Sequence, residues 1–155
     1  ILNQVAGNTF ADTLTLQAVK NNNGVCTGLF TGNVDVELSQ ENVPPSGTEG
    51  LKFTIDDVVD NEIAKHPNYT SGVNLNFGDD SKAVINNPVY NDAGQIRLHA
   101  DYNVGGVNLV GSSNAFWVSP AKLVVTARKP TVNDVPGDVI NGDSSTDETK
   151  SDNQL

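Results

Sequence analysis

Methionine is absent from this chain of 155 residues, cysteine and tryptophan occur once each, histidine twice, and aromatic residues make up only 6%. A single cysteine excludes a disulfide scaffold, because Cys26 has no partner within the chain. It is expected to be a small, partly buried apolar residue. His66 and His99 stand 33 positions apart, and even with Cys26 they supply only three scattered N or S ligands, where zinc needs three or four converging ones. Basic residues are also few. Nine Lys and Arg against nineteen Asp and Glu give a net charge of −10, which sets aside nucleic acid and anionic membrane as partners. No apolar run is long enough to span a bilayer, and no basic segment with an apolar stretch behind it follows Ile1. The expectation is a soluble segment without direct membrane insertion, its export signal or anchor lying outside it.

What the chain does have is alternation with a period of two, the pattern of a strand with one face on a core and one in water. Thr13 to Val19 places Leu14, Leu16 and Ala18 on one face. Asn33 to Gln40 opposes Val34, Val36 and Leu38 to Asp35, Glu37 and Ser39, and Gln95 to Tyr102 opposes Ile96, Leu98, Ala100 and Tyr102 to Gln95, Arg97, His99 and Asp101. Weaker runs are Leu51 to Ile55, Val73 to Phe77, Lys82 to Ile85, Ala115 to Val118 and Lys122 to Arg128. Turn signals separate them, among them Asn21-Asn22-Asn23-Gly24, Pro44-Pro45-Ser46-Gly47, Gly78-Asp79-Asp80-Ser81 and Gly105-Gly106. About eight short strands at this spacing predict an all-β, immunoglobulin-like antiparallel β-sandwich over residues 1–129, the strand 122–128 closing it or opening a following module. The expected core is Leu14, Leu16, Val34, Val36, Leu38, Phe53, Leu75, Phe77, Ile96, Leu98, Phe116 and Val118. A turn of helix is weighed for Asp56 to Lys65, with Val58, Val59 and Ile63 as its apolar stripe. Residues 130–155, with six acids and one Lys, predict a disordered acidic tail or linker.

Few residues advertise chemistry. Asp92-Ala93-Gly94 is expected as a structural corner, Asp92 capping backbone N–H groups and Gly94 tolerating positive φ, with Tyr90 as a corner tyrosine. Acidic loops raise a calcium site, since a hard cation takes several converging oxygens; Asp56, Asp57, Asp60 and Glu62 lie in one loop, Asp79, Asp80 and Asp92 in others, without EF-hand spacing. No other cofactor is expected. His99, in phase with Arg97 and Asp101, is expected on the solvent face, opposite Asp35 or Glu37 if the strands are neighbours. Trp117 is sent opposite to Phe116 and Val118 by a regular strand, onto an exposed surface unless the strand is buried on both faces or a loop covers the indole. A functional surface is sought first around Trp117, Tyr69 and the loop Asn103 to Gly106. Gly111-Ser112-Ser113 lacks the Gly-x-Ser-x-Gly elbow, and no carboxylate pair or Ser-His-Asp arrangement is marked, so no enzyme is expected.

Two stretches carry a family resemblance: Tyr90-Asn-Asp-Ala-Gly-Gln-Ile-Arg-Leu-His-Ala100 and Gly111-Ser-Ser-Asn-Ala-Phe-Trp-Val-Ser-Pro120. With Val5 to Phe10, Val25-Cys-Thr-Gly28, Asn33 to Leu38 and Val73 to Gly78, they resemble the MshQ family of MSHA-type (mannose-sensitive haemagglutinin) pilus biogenesis proteins over Val5 to Pro120. The resemblance implies an exported, multi-domain bacterial envelope protein, at the cell surface or in the periplasm, associated with a type IV pilus system and without enzyme activity in this region. It also implies a second cysteine after the strand ending at Leu38. Glu41 and Asn42 occupy that place here. The expected partners are neighbouring modules of the same protein or pilus and envelope proteins, the alternative being a carbohydrate- or calcium-dependent adhesion module.

Overall fold

The computed structural model describes residues 1–43 and 47–125. Ile1–Ala121 forms one compact unit; of the second, Lys122–Leu155, only residues 122–125 are described and they carry no strand. The remainder of the run expected to 128, and the expected tail 130–155, lie outside the described residues, as do Pro44, Pro45 and Ser46 of one turn signal.

Seven strands form the main sheet: β1 (Gln4–Val5), β5 (Gly32–Asn42), β7 (Ala64–Lys65), β8 (Thr70–Phe77), β11 (Gly94–Val104), β12 (Val107–Ser112) and β13 (Phe116–Ser119). Its centre is the antiparallel pair of β5 and β11, with Ala100 opposite Leu38, Leu98 opposite Gln40 and Ile96 opposite Asn42. On the far side of β5 run β8, antiparallel, and β7, parallel. Along the other edge of β11 lie β12 and then β13, which in turn pairs with β1 in parallel. Three two-stranded ladders complete the fold: β2 (Thr15–Gln17) with β9 (Lys82–Val84), β3 (Val19–Asn22) with β4 (Val25–Gly28), and β6 (Phe53–Thr54) with β10 (Val89–Tyr90).

The core is built by alternation on the long strands. Val36, Leu38, Val73, Leu75, Phe77, Ile96, Phe116 and Val118 from the main sheet meet Phe53, Ala83 and Tyr90 from the ladders and Leu14 just ahead of β2, with Leu16, Val34 and Leu98 half-buried against them. Aromatic edges lock this layer: Phe10 stands 5.5 Å from Phe53 and 5.6 Å, at 88°, from Phe116. Burying such side chains contributes about 1.5–3 kcal/mol each.

Several expectations change. Asp56 to Lys65 is not helical. Ile55 donates to the Asn61 carbonyl and Asn61 to that of Val58, closing a tight turn, while Ile63 donates to Phe53. Ile55 and Ile63 are therefore buried on the two arms of a loop, and Val59 points into solvent. The run Thr13 to Val19 divides into β2 and β3. The second of these joins a hairpin with β4 through Asn23-Gly24, both at positive φ, the Asn-Gly chemistry that two-residue hairpins demand. That hairpin is almost wholly exposed, and it carries Cys26 with it. Cys26 is thus an exposed thiol rather than a partly buried apolar residue. Finally, the alternation in β5 stops at Leu38: a register shift between Val36 and Leu38 is followed by Ser39 and Gln40, both fully buried.

Candidate functional site: an outer sheet face and a buried polar node

Trp117 lies on β13 between Phe116 and Val118, whose side chains fill the core, so the strand's pleat turns the indole outward, where it remains 49% exposed. Its cross-strand neighbour on β11 is Gln95. Continuing along that face of β11 come Arg97, opposite Glu41, and His99, opposite Ser39. The strands are neighbours, the condition attached to a cross-strand partner for His99, but the register gives it neither Asp35 nor Glu37. Its Nε2 stands 2.9 Å from Glu41 Oε2, which also receives Arg97 Nη1 at 3.3 Å.

His99 is not in solvent either. The turn after β7 folds back over the face and lays the His66 ring on it, centroids 4.4 Å apart and nearly parallel. His66 Nδ1 lies 3.4 Å from Ser39 Oγ, and Tyr69 packs edge-on to the ring with centroids 5.7 Å apart. This lid explains why Ser39 is buried on a face the pattern assigned to water. The hydrogen bond with His99, aided by the positive charge nearby, holds the Glu41 carboxyl below its ordinary value against a smaller opposing effect of burial. Of the expected loop Asn103 to Gly106, Asn103 and Val104 end β11, and Gly105-Gly106 is an exposed two-residue turn into β12, away from Trp117.

The acidic loops spend their oxygens locally. Asp57 accepts from the Asn86 backbone N–H and side-chain amide at 2.7 Å each, and Asp56 accepts from Asn87. Asp80 accepts from Lys82 N–H and pairs with its ammonium at 3.3 Å. Asp60 and Asp79 lie in exposed turn positions or beside them. Among the described residues no group of three or more His, Cys, Asp or Glu is placed to hold a metal ion.

At the corner, Asp92 Oδ1 accepts from Ala93 N–H at 2.8 Å, Oδ2 lies 3.3 Å from Leu51 N, and Gly94 adopts φ +155°. Tyr90 is buried. Its hydroxyl donates to Asn42 Oδ1 at 3.3 Å, and burial with the Asp92 charge raises the phenol above its ordinary value. Asn42 is the centre of a node that periodicity did not reveal. Its Oδ1 also receives the Gln40 amide and Lys65 Nζ, the latter at 3.2 Å. Lys65 is buried; among the described residues its ammonium reaches Asn42 Oδ1 and the Glu49 carbonyl, and it stands 5.7 Å from the Tyr90 ring centroid. Desolvation pulls its pKa down, opposed by Asp92. The one signal in the sequence is an ammonium two residues after Ile63, in phase with the core.

No curated protein and no solved structure matches this chain significantly. A family model does, over residues 1–112, which takes in the whole of the main sheet except β13. The chain belongs to the family described as the domain of unknown function DUF6701, first Ig-like domain.

Proposed function

We propose that this Ig-like module is a non-catalytic structural and interaction unit of an exported bacterial envelope protein, serving MSHA-type pilus biogenesis or surface attachment by docking a protein partner on the outer face of its main sheet. The observation that carries the docking is Trp117. A large aromatic left half exposed on a sheet whose other face carries the hydrophobic core is the kind of side chain that dominates interface energetics. Gln95 and Arg97 share the face and Tyr69 packs on the His66 ring that covers part of it, and Trp, Tyr and Arg are the residues most enriched at binding hot spots. The charge of −10 favours a partner with a basic surface. The association with a pilus system rests on the resemblance of Tyr90 to Ala100 and Gly111 to Pro120.

The test is affinity capture from envelope extracts of a piliated bacterium with the chain as bait, repeated with Trp117→Ala and Arg97→Ala. Recovery of pilus or envelope components that falls tenfold or more in both variants is expected, since a hot-spot side chain contributes about 2 kcal/mol or more. Equal recovery by all three chains would sink the docking face. Binding to a glycan array that Trp117→Ala abolishes would move the module to carbohydrate-dependent adhesion, with stacking of the indole on a sugar ring as its basis.

A further inference from the structure

A buried lysine ordinarily finds a carboxylate, because an unpaired ammonium out of water is costly. Lys65 does not. Its Nζ is held by two neutral oxygens, Asn42 Oδ1 and the Glu49 carbonyl, both at 3.2 Å. The Glu49 carbonyl also receives Asn42 Nδ2 at 2.8 Å, so one backbone oxygen brackets the amine and the amide nitrogen together. Asn42 Oδ1 meanwhile takes donors from Gln40 Nε2, Tyr90 Oη and Lys65. A carboxamide oxygen surrounded by preorganised donors in a partly buried site is polarised toward attack at its carbon, the arrangement that stabilises an oxyanion. Asp92 borders the same cavity of about 260 Å³ as Asn42 and Tyr90.

We propose that Lys65 and Asn42 are a self-modifying pair, joined in the folded chain by an isopeptide bond between Nζ and Cγ that ties β7 to β5. Asp92 lies beyond ion-pair distance of Nζ, so the ammonium passes one proton to its carboxylate by way of water in the cavity that Asp92 and Asn42 line, and the free amine attacks Cγ. The charge that develops on Oδ1 is held by Gln40 and Tyr90. As the carbonyl re-forms, the Cγ–Nδ2 bond breaks and Nδ2 leaves with a second proton from Nζ as ammonia. That ammonia takes back the proton lent to Asp92 and departs as ammonium. No oxidant, metal or cofactor is consumed. Burial favours the neutral amine that the attack requires, in keeping with the lowered pKa of Lys65.

The test is the intact mass of the purified full chain, denatured after prolonged incubation in its folded state, followed by proteolysis and fragment sequencing. The expected result is a mass lower by one ammonia than the sequence requires, and a branched peptide joining Lys65 to Asn42. Lys65→Arg and Asn42→Ala are expected at their full sequence masses. A folded wild-type chain at full mass overturns the proposal, whether or not either variant folds. So does an ammonia loss that persists in Lys65→Arg or maps to Asn23-Gly24 or Asn141-Gly142, where cyclisation of the asparagine gives the same mass change.

Discussion

Phe116 and Trp117 are adjacent on one strand and face opposite ways, which makes them a paired test of the architecture. Phe116 is 2% exposed and sits edge-on to Phe10. Phe116→Ala opens a cavity that the two layers cannot fully close, at a cost of about 3–5 kcal/mol. For Trp117, half of a side chain that buries at most about 250 Å² gives an upper bound near 3 kcal/mol. Solvent fills the vacated surface instead of leaving a void, and a compact denatured state lowers the figure further, so Trp117→Ala is expected to cost about 1–2 kcal/mol. Urea unfolding followed by far-UV circular dichroism reads both, since Trp117→Ala removes the only tryptophan. Phe116→Ala is expected to unfold at markedly lower urea with an unchanged slope, and Trp117→Ala close to the parent. Equal losses, or a larger loss at Trp117, would refute the assignment of the two faces of β13.

Glu41→Gln is expected to lose about 0.5–1 kcal/mol at neutral pH, a modest figure because the carboxylate is a third exposed. The folded carboxyl is depressed, so this stability is present above the ordinary value of 4.5 and is lost as pH falls through the folded pKa. The parent and Glu41→Gln stability curves should converge at acid pH, and a constant gap between them would contradict the His99–Glu41–Arg97 cluster. Gly28→Ala places a methyl group into Ser81 Oγ and 3.0 Å from Ser81 Cβ, breaking the hydroxyl's bond to the Phe30 carbonyl. A loss of about 1–3 kcal/mol is expected by thermal melting, and a neutral result would show that Ser81 yields freely. Melting temperatures in calcium and in EDTA should coincide, because Asp56, Asp57 and Asp80 already bond neighbouring groups; a rise of several degrees in calcium would reveal a folded-state site.

Period-two alternation on the long strands was enough to identify most of the main-sheet core, because Val36, Leu75, Ile96 and Phe116 each follow the pleat of an unbroken ladder. The same pleat set Trp117 opposite to Phe116 but left open whether the indole was exposed or covered; it is half exposed. The pattern failed wherever a segment crossed a face instead of running along it. Ser39 and His99 read as solvated until the turn carrying His66 is laid over them. The stacking of two histidines 33 positions apart depends on the β5–β11 register and on the fold of one short loop, neither of which has a local signature. Phe10, Ile55 and Ile85 are core residues on loops, where burial is decided by what the loop spans. Asn42, Lys65 and Tyr90 come from three separate segments, and polar residues that converge this way carry no periodic mark.

The parallel pairing of β1 with β13 bears on how the unit carries tension. Ala6 N–H bonds the Ser119 carbonyl at 2.9 Å, Trp117 N–H bonds Asn3 Oδ1 at 3.1 Å, and Asn114 Nδ2 bonds the Ile1 carbonyl at 2.9 Å. In a parallel pair the start of one strand and the end of the other lie at opposite ends of the ladder. A pull on Ile1 and Ala121 in opposite directions therefore loads these bonds in shear, together, whereas an antiparallel hairpin pulled at its open end parts one bond at a time. The hydrophobic layer beneath can separate only after that clamp has slipped. The two ends of the compact unit are thus joined by the bonds that an extending force must break first.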